Sequence, residues 1–214
     1  MPKPDTAAAL AAVDAHFDEF VEELQQLCRI RSRRQEPEQM EATAEFIAGS
    51  VRRWGGEAEI IPWEQSYPYV LAEVPGEGDK ALLHFTHYDV EVEPAGDDAD
   101  WISPPYAAEI HDGRLYARGV ADDKGVVMSR IHAAAAWKLA GLTPPVTNRS
   151  SSRARSGCTA RAWARSCRRT PTGSPATPRC GRTPGSTART GCCSSSPRRA
   201  CSTCASPRRP CHAT

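Results

Sequence analysis

Apolar positions recur at helical spacing through the first part of the chain. Leu10, Val13, Phe17, Phe20, Val21, Leu24 and Leu27 predict one long amphipathic helix from about Thr6 to Arg29. Met40, Ala44, Ile47, Val51 and Trp54 predict a second helix, stopped by Gly55-Gly56. The pattern then changes. Strands are expected over Glu57–Ile61, Tyr69–Val74 and Ala81–Thr86, with Pro68 tolerated just ahead of the second. Pro75-Gly76 turns the chain between the last two. Leu82 to Phe85 is a short, mostly apolar run of the kind found in a buried strand. A polar loop follows from Glu91 to Pro105. Short strands at Ala107–Ile110 and Arg114–Ala117 flank a His111-Asp112-Gly113 turn, and a helix runs from about Lys124 to Leu139, ending at Gly141. Pro144-Pro145-Val146 leads toward another strand, but the apolar residues to build it do not follow. Two helices, then strands and helix mixed, imply an α/β layered domain with helices packed on a mixed sheet.

Composition divides this pattern at Val146. All 26 acidic residues precede it, with 13 of the 27 Lys and Arg, and the other 14 follow it as Arg. The first part is strongly acidic and the tail strongly basic, although the whole carries only +1. Beyond Val146 there is no Asp, Glu, Lys, Leu, Ile, Val, Phe, Tyr, Met or Gln. Ordering the 68 residues of the tail costs on the order of 100 kcal/mol at about 1.5 kcal/mol each. Trp163 and small side chains do not offset that, so two regions are expected: a partial catalytic domain over 1–146 and an unstructured tail over 147–214. Cys28 is the sole cysteine of the first region and is expected to be a core thiol; eight more lie in the tail. With no apolar signal core at the N-terminus and no span of about 18 apolar residues, a cytoplasmic chain is expected.

Two constellations carry candidate chemistry. His87-Tyr88-Asp89 closes the third strand, and residues two apart on extended chain share a face. A neutral imidazole can ligate a metal through one nitrogen while a carboxylate holds the proton of the other. Gly119-Val120-Ala121-Asp122-Asp123-Lys124-Gly125 marks a loop-to-helix junction, where a carboxylate can bridge divalent ions. Each alone is equally at home as a polar loop or a solvated helix start. Among the remaining side chains, His84 reads as a core histidine, His16, His111 and His132 as surface residues, and Trp101 as packing for the loop.

Taken in order, Thr86-His87-Tyr88-Asp89-Val90, Asp100-Trp101-x-x-Pro104-Pro105-Tyr106, Asp112-Gly113-Arg114-Leu115-Tyr116-Ala117-Arg118-Gly119 and Asp122-Asp123-Lys124-Gly125 resemble one family. It is that of the zinc-dependent peptidases, including carnosine dipeptidases, glutamate carboxypeptidase, acetylornithine deacetylase and succinyl-diaminopimelate desuccinylase, and the likeness is greatest to the dipeptidase branch. The resemblance covers about residues 8–146 and implies the N-terminal part of a zinc-peptidase catalytic domain. It implies His87 and Asp122 as metal ligands, with Asp122 bridging both ions and joined in some relatives by a strained peptide bond to Asp123. Asp89 takes the catalytic supporting place behind His87. The implied cofactors are two divalent metal ions, zinc first, with manganese or cobalt as alternatives. The implied substrate is a small peptide or N-acyl amino acid, with neither nucleic acid nor membrane as partner. Relatives dimerise through a separate domain and supply a Glu-Glu pair, an Asp and a final His, for which this sequence has no counterpart. A metal-dependent hydrolase is therefore expected by resemblance, inactive as this chain. The alternative is a non-catalytic truncated protein, or an adaptor whose basic tail binds acidic partners.

The tail has the composition of a GC-rich coding sequence read out of frame. Arg149 to Ser156 admits a coding that, begun at the third base of its first codon, reads Phe-Phe-Phe-Glu-Gly-Glu-Glu: an apolar strand end followed by acidic residues. The codon that follows cannot then be Glu, which leaves a register one residue out, or a second slip, open. A frameshift is the favoured reading. A nucleic-acid-binding arm lacks Lys and interleaved aromatics, and a zinc knuckle at Cys201-x-x-Cys204 with Cys211-His212 has short spacing and nothing apolar to pack on.

Overall fold

The computed structural model describes residues 5–62, 67–91 and 101–154. Three helices come first: α1 (Thr6–Ala15), α2 (Phe17–Arg29) and α3 (Pro37–Arg53). Strands β1 (Glu57–Ile61), β2 (Tyr69–Val74) and β3 (Ala81–His87) follow, then the hairpin β4 (Glu109–His111) and β5 (Arg114–Tyr116). A π-helical turn (Val120–Lys124) opens α4 (Gly125–Leu139), and β6 (Thr147–Arg153) comes last.

The single helix expected from Thr6 to Arg29 is broken at His16. Its backbone N–H still reaches Ala12 and Val13, but its own φ of −112° leaves the helix. Asp18 and Glu19 then occupy the first turn of α2, where acidic side chains meet the positive end of the helix. Hydrophobic spacing carries straight across the joint, so it gives no sign of the bend.

The sheet order is β1-β2-β6-β3, with β6 antiparallel to β2 and parallel to β3. The boundary expected at Val146 is thereby corrected: the strand that Pro144-Pro145-Val146 points toward is present as Thr147–Arg153. It holds its place without an apolar side chain because the ladder bonds are made by backbone, and β2 and β3 each offer it an edge. The rest of the expected tail, 155–214, lies outside the described residues, as do the Arg-rich and Cys-His readings placed on it.

The core lies between the helices and one face of the sheet. Leu27, Met40, Ala44, Ile47, Val51, Val70, Ala72, Val127, Met128 and Ile131 pack together there with Tyr88. Strand β3 departs from expectation: Leu82, Leu83 and Phe85 are 49%, 42% and 48% exposed. It is an edge strand among the described residues, so its apolar run is half covered rather than buried. The hairpin turn is as read, with Asp112 and Gly113 both at positive φ, 51° and 72°, which suits a two-residue connection.

His132 is also corrected. It is buried, not at the surface, and its Nε2 lies 2.7 Å from Oε2 of Glu23. Among the described residues, no helix is long and apolar enough to cross a membrane.

Candidate metal centre

His87 ends β3, and its neighbours fix where its ring points. β6 runs parallel beside it, with His87 opposite Arg153, and the next residue, Tyr88, donates its N–H to the Arg153 carbonyl. Tyr88 is fully buried and its hydroxyl donates to the Pro68 carbonyl at 2.6 Å. The chain thus leaves the sheet anchored on a large core residue, and His87 and Asp89 flank that anchor.

Asp122 approaches from the other loop. Gly119 permits the approach: it sits at φ 80°, and a Cβ there would stand 2.4 Å from a methyl of Val90. The turn after it carries Asp122 and Asp123, joined by a cis peptide bond, directly into α4. Gly125 is held equally close, since a Cβ would fall 2.3 Å from the Val120 carbonyl oxygen.

The two loops bring the candidate residues together. His87 Nε2 lies 2.9 Å from Asp122 Oδ1, and His87 Nδ1 lies 3.2 Å from Asp89 Oδ1. Asp123 turns elsewhere and accepts the His87 backbone N–H at 3.3 Å. Asp89 is 2% exposed, whereas the Asp122 side chain is 70% exposed and faces solvent. The hydrogen bond to Asp89 chiefly holds the His87 imidazole above its usual pKa; burial opposes this, and Asp122 adds to the rise. The ring is an imidazole with a fixed carboxylate behind it and a second carboxylate in front.

This donor set suits a divalent ion. Bonds of about 2.0–2.2 Å from one tetrahedral ion place neighbouring nitrogen and oxygen donors about 3.4 Å apart, so His87 Nε2 and Asp122 Oδ1, 2.9 Å apart here, would open by about half an ångström to share one. His87 and Asp122 fit two corners of such a site. Among the described residues, no group of three or more His, Cys, Asp or Glu side chains converges to complete one.

Three residues support the site: Ser32 and Arg34 carry no signal of their own in the sequence, and Lys124 enters only as part of its motif. Lys124 is fully buried, and its ammonium donates to the carbonyls of Ile30 at 2.6 Å and Leu27 at 3.1 Å at the end of α2. Burial pulls its pKa down to about 8. Ser32 Oγ donates to the Tyr88 carbonyl at 2.6 Å, and Arg34 Nε donates to Asp89 Oδ2 at 3.0 Å. Their partners lie 55 or more positions away, beyond the reach of any local pattern. Cys28 is buried, and burial pushes its thiol up to about 11. His84 is half-buried, with Nε2 3.2 Å from Asn148 Oδ1. Arg118 stacks over Trp101 at 4.9 Å.

Comparison with known proteins bears on this geometry. Residues 85–149, which hold both candidate loops, match Peptidase family M20/M25/M40. The chain is similar to the Beta-Ala-His dipeptidase of Mus musculus, 33% identical over 149 residues, covering 63% of this chain and 30% of that protein. Among solved structures it is similar to human carnosine dipeptidase 1, with a TM-score of 0.68 and 25% identity, over 81% of this chain and 40% of that one. It is also similar to an M20 family metallo-carboxypeptidase of Sulfolobus solfataricus, with a TM-score of 0.55 and 28% identity, over 63% and 30% of the two chains. The chain spans about 30% of the length of the curated relative.

Proposed function

We infer, from an N-terminal portion related to the M20/M25/M40 peptidases, a metal-dependent hydrolase of dipeptides or related N-acyl amino acids. One observation carries the reading: the His87 imidazole stands between a buried carboxylate, Asp89, and an open one, Asp122, with Nε2 2.9 Å from the latter. His87 and Asp122 would hold metal, Asp122 between two ions, and Asp89 would keep the ring turned toward them. Zinc suits a mixed nitrogen and oxygen donor set, with manganese or cobalt as substitutes. Bound there, a pair of divalent ions supplies Lewis-acid chemistry for amide hydrolysis. The chain's own share is to orient the imidazole and to leave the outer face of Asp122 open to substrate.

Turnover by this chain is a separate matter. No acidic residue follows Asp123, so no later carboxylate can serve as general base or ligand. We read the sequence beyond Val146 as a shifted frame of a longer peptidase. Strand β6 supports this, since an interior strand of sequence Thr-Asn-Arg-Ser-Ser-Ser-Arg lacks the apolar side chains that such a place demands. The alternative is a non-catalytic truncated protein, or an adaptor whose basic tail binds acidic partners.

Two experiments separate these readings. The purified full chain, titrated with Zn2+ and Mn2+ and assayed on dipeptides, is expected to bind metal weakly and to turn over nothing. Binding that survives both His87→Ala and Asp122→Ala would remove the metal reading. Resequencing the DNA across the codons for Val146 to Ser156 decides the frame, and an unbroken frame as given would end that account.

A further inference from the structure

The connector between α2 and α3 reaches both loops that carry the candidate ligands. Val90 donates its N–H to the Ser32 carbonyl at 2.9 Å, and Ser32 Oγ donates to the Tyr88 carbonyl. Two residues on, Arg34 Nε donates to Oδ2 of Asp89 at 3.0 Å. Asp89 is almost fully buried, so its carboxylate, withdrawn from water, depends on donors fixed by the fold. Its other oxygen faces His87 Nδ1. The guanidinium therefore sets the rotation of a carboxylate whose far side sets the ring. Arg34 is itself held: the Tyr67 hydroxyl donates to its carbonyl, and its Nη2 donates to Glu91 Oε1 at 3.3 Å. At its start the same connector receives the Lys124 ammonium on Ile30, two residues beyond Asp122.

We propose that Arg34 is a positioning residue for the candidate metal pair, setting through Asp89 the angle at which His87 presents Nε2 toward Asp122. The proposal rests on the reading of His87 and Asp122 as ligands. Two effects of Arg34 oppose each other. Its positive charge repels a cation, but Asp89 and Glu91 lie against it and offset that charge. Its guanidinium fork, with Nε on Asp89 and Nη2 on Glu91, fixes an orientation. Orientation sets the sign, and removing the fork weakens metal binding.

The test is calorimetric titration of the full-length chain with Co2+ alone, followed also by visible absorbance. Residues that brace a ligand directly change affinity about ten- to a hundred-fold. Arg34 acts one bond further out, so Arg34→Met is expected to weaken Co2+ binding about three- to ten-fold while the chain stays folded at the titration temperature. Arg34→Lys, which keeps a donor and the charge, is expected to recover most of it. Arg34 is more than a third exposed, so its removal leaves no cavity, and the thermal midpoint of each variant reports what the buried carboxylate loses. If His87→Ala and Asp122→Ala abolish binding while Arg34→Met binds as tightly as the parent or tighter, the positioning role is overturned and the metal reading stands. If the parent binds no Co2+, or the His87 and Asp122 variants bind it unchanged, both fall together.

Discussion

Glu23 and His132, 109 positions apart in the chain, meet at 2.7 Å in the helical core. Ser50 Oγ at 2.7 Å and Trp54 Nε1 at 2.8 Å donate to the same carboxylate, and His132 stacks on Phe20 at 4.2 Å. α2, α3 and α4 are thereby tied at one buried charge. Burial alone would raise the Glu23 pKa, but the hydrogen bonds from His132, Ser50 and Trp54 outweigh it and hold the value below the usual one.

That direction fixes a pH dependence. A carboxylate whose pKa is depressed on folding binds fewer protons in the native state. Its stabilisation is complete above its unfolded pKa, near 4.5, and is lost as pH falls through the lower folded value. Urea unfolding across this range should show the parent losing stability on acidification. Glu23→Gln should be about 1–3 kcal/mol less stable at neutral pH, as expected for disrupting hydrogen bonds at a buried carboxylate. The variant should also show a flatter acid limb. An unchanged limb would place the acid sensitivity elsewhere.

Lys124 sends its ammonium to backbone oxygens. Its ammonium is a second donor to the carbonyls of Leu27 and Ile30, which also accept the backbone N–H groups of Ile30 and Ser32. Lys124→Met keeps the length of the stem and removes both bonds, so a loss of about 1–3 kcal/mol is expected in chemical unfolding. The loss should be accompanied by faster hydrogen exchange at the start of α4. A loss confined to α2 would mean that the side chain caps a helix and nothing more.

The sequence makes some of this legible and hides the rest for physical reasons. β1 and β2 are readable to the residue because breakers bound them on both sides, and Asp112-Gly113 is readable because few pairs tolerate two positive φ values. That His87, Asp89 and Asp122 come together is readable because motif spacing survives without knowledge of the fold. The bend at His16 is not, since apolar spacing continues through it. The burial of His132 is invisible because its partner Glu23 is 109 positions away. The placement of β6 runs against its own residues and is imposed by the two strands beside it. The half-exposed face of β3 is a further case, because an apolar run does not say whether anything covers it.

Gly119 is the position where a single methyl should do the most damage to the candidate site. The residue is left-handed, and an added Cβ would stand 2.4 Å from Val90, inside any real contact distance. Gly119→Ala combines backbone strain with a clash, together expected to cost about 2–3 kcal/mol. Because Val90 follows Asp89 directly, the shift should spread to both loops. Amide chemical shifts of residues 87–91 and 120–125 should move together, while those of β1 stay fixed.

β6 offers the opposite kind of change, one expected to stabilise. Ser150 pairs with Ala72 on one side and His84 on the other, so it shares the face that looks toward α3 and α4. A small crevice, open to solvent, lies there, lined in part by Val51, Trp54, Ile131 and Ala135. Serine fills little of it, and its hydroxyl gains nothing from apolar walls. Ser150→Val adds β-branched bulk suited to a strand and removes apolar surface from water, worth about 1 kcal/mol at roughly 0.8 kcal/mol per buried methylene equivalent. The midpoint of urea unfolding should rise with an unchanged slope. A fall instead would mean that Ser150 does not face the helices, and with it would go the register that sets His87 opposite Arg153.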